Sequence, residues 1–217
     1  KVSIDEAYLD VTDRTAWRHA DDGSRTLAEG YARHVKRRIA GEVGVPASVG
    51  VAPNMSAAKV AADHDKPDGL VVVEPGEVAS FLAPLPVEAV HGVGPVTARE
   101  LHSMGIDTAG GVAETDPVVL RDRFGERGRE LYDRARGRDD RAVTPKDLPK
   151  SLSRESAFTE ATDDPEAARE KVSRLAADVA DRARLQGALY GTIGIKVVTP
   201  PFDVHTRAQS LSGPVED

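Results

Sequence analysis

The apolar residues in the first part of the chain follow a helical period. From Leu27 to Val43 an apolar side chain recurs at every fourth position, which predicts an amphipathic helix of roughly 16 residues. Ser24 or Thr26 can cap its first turn, and Gly44 lies just past its end. The opposite face carries cations that we expect to be solvated, namely Arg33, Lys36 and Arg37.

Short β-prone runs lie on both sides of that helix. Four of them predict strands: residues 2–4, 7–9, 47–52 and 70–73. Asn54 is placed to cap a second helix that runs to about Asp63. The order strand, strand, helix, strand, helix, strand is most of a ferredoxin-like α+β unit.

The next part of the chain has helical patterns only. We predict a short helix around residues 78–82, another that residues 90–98 open and that runs through Leu101 and Met104 to Gly105, a third that begins at Asp116-Pro117 and a fourth over residues 126–136. This region, residues 76–138, is therefore predicted to be all-helical. Residues 139–150 are charged, contain two prolines and lack periodicity, which is typical of a tether between domains.

The last part of the chain returns to a mixed pattern. Residues 151–158 are strand-like, Asp164-Pro165 begins a long helix, and residues 192–198 and 204–211 predict two further strands. The predicted apolar face of the long helix consists of Val172, Leu175, Ala176, Val179 and Ala183.

Composition narrows the class of protein. The chain has 217 residues, 40% of them apolar, which allows one large domain or two to three small ones. No apolar run is long enough to span a membrane, and the absence of cysteine excludes disulfides and thiolate metal sites and fits a cytoplasmic protein. The net charge of −7 is unusual for a nucleic-acid binder. Either cations gather on one face, or the surface is acidic for another reason, such as a high-salt cytoplasm.

Two adjacent carboxylates, Asp5 and Glu6, lie at the bend between the first two predicted strands. Neighbouring side chains on a straight strand point to opposite faces, so both can address one point only where the backbone turns. Carboxylate oxygens on a rigid sheet suit Mg²⁺, whereas an arbitrary Asp-Glu pair is usually a polar turn. The run Ser3-Ile4-Asp5-Glu6-Ala7-Tyr8-Leu9-Asp10 closely resembles the metal-binding motif of Y-family translesion DNA polymerases, particularly their DNA polymerase IV-like branch. Asp10 could support the site or serve a structural turn.

A second motif surrounds Lys59. Residues 48–54, 58–61 and 66–69 are similar to the second signature of the same branch. The resemblance implies that Lys59 contacts the triphosphate of the incoming nucleotide, although a single lysine on a helix is usually just solvated. Its place near a helix N-terminus would combine its charge with the helix dipole. The pattern departs from the family at Met55, where a lysine or arginine is common.

A third motif is a glycine turn before a helix. Gly92 and Gly94 permit a tight turn whose amides can approach a backbone phosphate. A Gly-x-Gly turn alone is weak, but residues 90–106 together resemble the helix-hairpin-helix that binds DNA without reading its sequence.

The resemblance implies a multidomain α+β protein. Its parts are a partial ferredoxin-like palm (1–75), an all-helical thumb with the helix-hairpin-helix (76–138), a linker (139–150) and a partial α+β little finger (151–217). In this family the little finger grips the duplex, so the candidate DNA-binding cations there are Arg154, Lys196 and Arg207. The alternative is that these are ordinary exposed cations.

The implied activity is template-directed DNA synthesis by two-metal nucleotidyl transfer from a dNTP to a primer 3′-hydroxyl. Asp5 and Glu6 would be the catalytic metal ligands for two Mg²⁺ ions, Lys59 would bind the nucleotide, and Gly92 and Gly94 would hold DNA phosphates. The implied partners are primer-template DNA, dNTP and, through a tail outside these residues, a sliding clamp. The implied protein is a cytoplasmic monomer that does not bind membranes.

The resemblance also limits the expected activity of these residues. The third catalytic carboxylate, the fingers and the residue that excludes ribonucleotides would precede Lys1, so we expect the 217 residues alone not to polymerise. Two other classes stay open. A non-catalytic DNA-binding module would not need Asp5 or Glu6, and a different palm-type phosphotransfer enzyme, such as a nucleotide cyclase, would not need the turn at residues 92–94.

Overall fold

The computed structural model describes residues 3, 5–14, 26–144 and 150–215. The chain divides into two compact units, residues 1–144 and residues 145–217, here called the N-terminal unit and the C-terminal unit. The predicted strand at residues 2–4, apart from Ser3, the cap at Ser24 and the linker prolines Pro145 and Pro149 lie outside the described residues.

The sheet of the N-terminal unit consists of two short parallel strands. Strand β1 (Val49–Val51) pairs with β2 (Leu70–Val72), and helix α2 (Met55–His64) connects them. Helix α1 (Leu27–Val43) precedes β1 and contacts both strands. The predicted helix-strand-helix-strand order is confirmed for this part of the chain.

Both helices begin at the caps that the sequence predicts. Thr26 Oγ1 accepts a hydrogen bond from Glu29 N at 3.1 Å, and Asn54 Oδ1 accepts one from Ala57 N at 2.9 Å. Such caps satisfy amide donors that have no partner within the helix. Helix α1 ends at Gly44, whose φ of 75° is in the left-handed region that favours glycine.

Helix α2 lies directly on β1 at Gly50. A Cβ at this position would stand 2.1 Å from Ala58 O and 2.3 Å from Ala62 N. Both are backbone atoms, which cannot rotate away, so only glycine permits this contact. The close approach sets the position of α2, the helix that carries Lys59.

The predicted strand at residues 7–9 is wrong. This segment has no ladder partner among the described residues, and the strands of the described sheets are β1 with β2 and β3 with β4. A strand depends on hydrogen bonds to a neighbouring strand, so local β-propensity does not form one by itself. A turn bond from Ser3 N to Glu6 O, 3.3 Å long, bends the backbone at the carboxylates.

The expectation of a solvated Lys36 is also wrong. Its Nζ donates to Asp68 Oδ1 at 2.8 Å and to Gly69 O at 2.9 Å, which ties α1 to the loop before β2. The helical pattern could not indicate this contact, because the partners lie more than 30 residues away in sequence.

The rest of the N-terminal unit is helical, as predicted. The elements are α3 (Val78–Leu82), a 3₁₀ turn (Val87–Ala89), α4 (Pro95–Ser103), α5 (Ala109–Glu114), α6 (Pro117–Phe124) and α7 (Glu126–Ala135). Helix α5 was not predicted, since it is short and contains two glycines; its Thr108 cap, which accepts from Gly111 N at 3.1 Å, was the available signal. The largest fully buried apolar side chains of the described residues are Leu101, Leu120, Leu131, Val87 and Val112.

The C-terminal unit is a helix and a β-hairpin. Helix α8 (Pro165–Leu185) is capped by Asp164, and β3 (Tyr190–Thr199) pairs antiparallel with β4 (Asp203–Val215). The predicted strand at residues 151–158 is wrong, because this segment has no strand partner in the described residues and instead contacts α8: Arg182 Nη1 donates to Ser153 O at 3.1 Å. Of the described helices, none has the length and apolar character required to cross a membrane.

Candidate functional site

The two carboxylates of the first motif occupy different environments. Asp5 is exposed, and Ser3 Oγ donates to its Oδ1 at 2.6 Å, which is the main reason why the pKa of Asp5 is lowered. Glu6 is half-buried. Asp10 Oδ1 accepts from Thr12 N at 3.0 Å and from Thr12 Oγ1 at 2.7 Å, so it stabilises its own turn.

Glu6 and Lys59, which the sequence assigned to one site, contact each other. Lys59 Nζ donates to Glu6 Oε1, and both side chains are about one-third exposed or less. Burial acts to lower the pKa of Lys59, but the hydrogen bonds to Glu6 and Asp63 outweigh it, and the pKa is raised. The lysine is therefore a full cation at neutral pH, which is the form that would bind an anionic phosphate.

Asp63 is a site neighbour that sequence reasoning missed. Its carboxylate lies 3.2 Å from Lys59 Nζ and 2.6 Å from Lys66 Nζ. Burial acts to raise the pKa of Asp63, but the bonds from the two lysines lower it. The helical spacing of four and three residues was the signal that could have found this cluster.

Tyr8 is the second missed neighbour. Its side chain is half-buried, and burial raises the pKa of its phenol. The charges of Lys59, Arg141 and Glu6 also act on this phenol. A tyrosine that follows the carboxylates by two residues belongs to the same short motif, so its place in the cluster was readable from the sequence.

The donor set fits a hard divalent cation in part. Mg²⁺ in nucleotide enzymes is usually bound by one or two carboxylates together with substrate phosphates, and Asp5 and Glu6 supply two adjacent carboxylates beside a turn. Within the described ranges, no group of three or more His, Cys, Asp or Glu side chains is arranged to hold a metal. The described residues therefore offer two candidate ligands, and any metal there would need its other ligands from a nucleotide, water or other groups.

The predicted hairpin turn is present, and only one of its glycines requires glycine geometry. Gly92 has a φ of +97°, in the left-handed region. Gly94 has a φ of −96° and is the N-cap of α4; a Cβ there would meet nothing within 4 Å. The two predicted phosphate-binding positions therefore differ in how much substitution they should tolerate.

Two arginines of α7 donate hydrogen bonds to backbone carbonyls of this turn. Arg127 Nη2 donates to Gly92 O at 2.7 Å, and Arg134 Nη1 donates to His91 O at 3.1 Å. Arg134 also pairs with Glu130 at 2.9 Å. Because these cations bind the turn carbonyls, their role in the structure is to shape the turn.

A groove of about 400 Å³ runs beside the turn, and its lining residues are Glu88, Val93, Gly94, Pro95, Ala98, Arg99 and His102. His102 bridges two carboxylates, with Nδ1 2.7 Å from Asp107 Oδ1 and Nε2 2.9 Å from Glu88 Oε1. Hydrogen bonds to Glu88 and then Asp107 raise the pKa of His102. The bridge connects α4 to the 3₁₀ turn that precedes the hairpin.

The structure does not bring the predicted cations of the C-terminal unit together on one surface. Arg154 lies 3.8 Å from Asp178 of α8, and Lys196 lies 2.5 Å from Glu155. In the register of the hairpin, Arg207 is opposite Ile195, whereas Lys196 is opposite Thr206. Since side chains alternate along a strand and directly opposed residues share a face, Lys196 and Arg207 lie on opposite faces.

Comparison with known families agrees with this geometry along the chain. Residues 1–63 match the impB/mucB/samB family, residues 75–106 match the IMS family HHH motif, and residues 149–217 match the impB/mucB/samB family C-terminal domain. The fold, the carboxylate motif and these three matches in order define the class: the chain belongs to the Y family of DNA polymerases.

Two similar curated proteins are both named DNA polymerase IV. The chain is 61% identical over 217 residues to a DNA polymerase IV of Halobacterium salinarum and covers 51% of it. It is 41% identical over 211 residues, or 97% of this chain, to a DNA polymerase IV of Methanoculleus marisnigri, of which it covers 56%. The chain thus spans about half the length of the curated relatives it matches.

Solved structures show the same fold. A Y-family DNA polymerase chimera of Dbh and Dpo4 matches 99% of this chain and 60% of its own with a TM-score of 0.83 and 27% identity. An insertion ternary complex of Dbh DNA polymerase matches 95% of this chain and 58% of its own with a TM-score of 0.59. At 23% identity, the second likeness concerns the fold alone.

Proposed function

We propose that the natural protein carrying this chain is a translesion-type DNA polymerase that adds nucleotides from dNTPs to a primer 3′-hydroxyl. The observation that carries this proposal is the contact between Glu6 and Lys59, with Asp5 next to Glu6 in the sequence, in the same compact unit as the helix-hairpin-helix turn. That combination supports phosphoryl transfer on a nucleic acid, because the carboxylates would bind metal, the lysine would bind phosphate and the turn would bind the DNA backbone within one unit.

Each residue has a definite role in this proposal. Asp5 and Glu6 would hold Mg²⁺, which supplies charge neutralisation at the reacting phosphate. Lys59, already cationic, would exchange its Glu6 contact for the triphosphate of the incoming nucleotide, thereby releasing the carboxylate. Asp63 would keep the lysine charged and oriented during this exchange.

DNA would be held at two places. The amides of Gly92 and Gly94 would bind backbone phosphates at the start of α4, with Arg127 and Arg134 fixing the turn behind them. Arg154, Lys196 and Arg207 would serve the C-terminal unit, and the hairpin register allows Lys196 and Arg207 to touch DNA only from opposite faces. The proposed form is a cytoplasmic monomer, with a sliding clamp as a further partner.

The proposal is tested by primer extension with Mg²⁺ and all four dNTPs, using the natural protein. Asp5→Ala and Glu6→Ala should each lower the rate about 10³-fold, equal to roughly 4 kcal/mol of transition-state stabilisation. Asp13→Ala is the matched control, since Asp13 is an exposed carboxylate in the same segment. Lys59→Ala should mainly raise the KM for dNTP.

Other outcomes select between the competing classes. No extension by a wild-type protein that binds primer-template would favour the non-catalytic DNA-binding module. Turnover of nucleotide without primer would favour a different palm-type phosphotransfer enzyme.

A further inference from the structure

The segment that follows α7 turns back onto the start of α2. Gly137 O accepts a hydrogen bond from Asn54 Nδ2 at 2.8 Å, and the Asp139 carboxylate binds Ser56, 83 residues earlier in the chain. We propose that Asp139 is a positioning residue of the polymerase site: it fixes the first turn of α2, and with it Lys59, to the end of the helix that holds the hairpin turn. This inference rests on the polymerase function proposed above.

Asp139 is fully engaged where it lies. Its Oδ2 accepts from Ser56 N at 3.0 Å and from Ser56 Oγ at 2.7 Å, while its Oδ1 accepts from Arg141 Nε at 2.7 Å. The side chain is only 3% exposed. A buried carboxylate is costly unless charge and hydrogen bonds compensate it, and here Arg141 and the N-terminal end of α2 do so.

The charge state of Asp139 supports its role as an anchor of the first turn of α2. Burial acts to raise the pKa of its carboxyl, but the hydrogen bonds from Arg141 and Ser56 outweigh burial and hold the pKa well below its usual value. The group is therefore an anion throughout the physiological range. It serves as a permanent second cap, since Asn54 already accepts the amide of Ala57.

The anchored turn lies directly beside the proposed nucleotide site. Ser56 and Lys59 are three residues apart on α2, so they share a face of the helix. Lys59 in turn contacts Glu6. The charges of Lys59, Glu6, Arg141 and Asp139 all act on the phenol of Tyr8, which places the anchor and the site in one cluster.

The other end of the connection leads to the hairpin turn. Helix α7 ends at Ala135, and two of its arginines bind the carbonyls of His91 and Gly92. A continuous set of contacts therefore joins the turn, α7, Asp139, α2 and Lys59. Removal of the Asp139 anchor should therefore change nucleotide binding at Lys59 if these contacts couple the two regions.

The test uses the natural protein in single-nucleotide insertion, at a temperature well below the melting point of every variant. Asp139→Ala is expected to raise the KM for dNTP about tenfold, because small displacements of a binding group weaken its contacts. Asp139→Asn, which keeps the acceptor but loses the charge, should fall between that variant and the wild type. Asp140→Ala, at the exposed neighbouring position, should leave KM unchanged.

Two further measurements separate positioning from general stability. Ser56→Ala removes only one hydroxyl from the anchor, so it should fold normally and raise the KM for dNTP about threefold. Hydrogen exchange at the amides of residues 57–59 should be about tenfold faster in Asp139→Ala than in the wild type.

Unchanged KM and kcat in a less stable Asp139→Ala would make the residue merely structural and overturn the inference. A raised KM without faster exchange at residues 57–59 would also overturn it, since the effect would then arise elsewhere. A wild-type protein that extends no primer would defeat the proposed function itself, which is a separate outcome.

Discussion

The N-terminal and C-terminal units differ in how many of their apolar side chains are buried. Among the described residues, the buried apolar side chains all belong to the N-terminal unit, apart from Ala183 of α8. In the C-terminal unit, Val172, Ile193, Val197 and Phe202 are exposed. Lys59 thus lies on a helix that packs into this core through Ala57, Val60 and Ala61, whereas the cations of the C-terminal unit lie on exposed surfaces. The packed core and the exposed cationic surfaces therefore belong to different parts of the chain.

The largest expected difference between the units concerns two strand glycines. Gly50→Ala should destabilise the N-terminal unit by about 4 kcal/mol, above the usual cost of overpacking, because backbone rather than side-chain atoms must move. Gly194→Ala in β3 should change stability by less than about 1 kcal/mol, since its Cβ would meet nothing closer than 3.6 Å. Urea-dependent hydrogen exchange with mass spectrometry reports each unit separately. Equal effects would contradict the difference in packing.

Core truncation should give the next largest difference. Leu131→Ala removes a fully buried side chain and should cost about 3 kcal/mol. Val197→Ala, at a position that is 46% exposed, should cost less than about 1 kcal/mol. The same exchange measurement applies, and a similar loss at Val197 would show that the C-terminal unit has a core of its own around β3.

Helix caps should show a smaller difference. Asn54→Ala removes the cap of α2 and the bond to Gly137 O, and should cost about 2 kcal/mol. Asp164→Ala removes from α8 only the cap bond to Glu166 N, 2.9 Å long, and should cost about 1 kcal/mol. Equal losses in thermal unfolding of the two variants would mean that the tertiary bond of Asn54 contributes nothing.

The smallest effect is expected from pH. The folded-state pKa of His102 is raised above its ordinary value of 6.5, so its stabilisation is complete below pH 6.5 and is lost as pH rises through the folded-state pKa. The N-terminal unit should therefore become slightly less stable across that window, while His102→Gln should not show this step. Melting curves from pH 5 to pH 9 measure it; a step of opposite sign would contradict the bridge to Glu88 and Asp107.

Local chemistry made several elements predictable from sequence. Thr26, Asn54 and Asp164 cap their helices because a cap depends on amides two or three residues away. The predicted strands at residues 7–9 and 151–158 were wrong for the opposite reason, since a strand needs a partner strand and neither segment has one among the described residues.

In the candidate site, too, the sequence indicated residues within short motifs but not contacts between residues that are distant in sequence. Two motifs predicted Asp5, Glu6 and Lys59 as site residues; Lys59 contacts Glu6 in the structure, and the roles of all three stay predictions. The anchor of Asp139 on Ser56 spans 83 residues, and no local spacing indicates such a contact. The pattern likewise placed Lys196 and Arg207 on strands but did not determine their pairing, which decides the face on which each side chain lies.

Because Lys196 and Arg207 lie on opposite faces of the β3–β4 hairpin, a reactive group at each position would report on a different face. The 217 residues contain no cysteine, so a cysteine introduced at either position would be the single thiol within them. A cross-linking group on the DNA backbone can reach a thiol on the face of the hairpin that the DNA covers. The two strands block its access to a thiol on the opposite face. The cross-linking yield at each position would therefore show which face of the hairpin the nucleic acid covers.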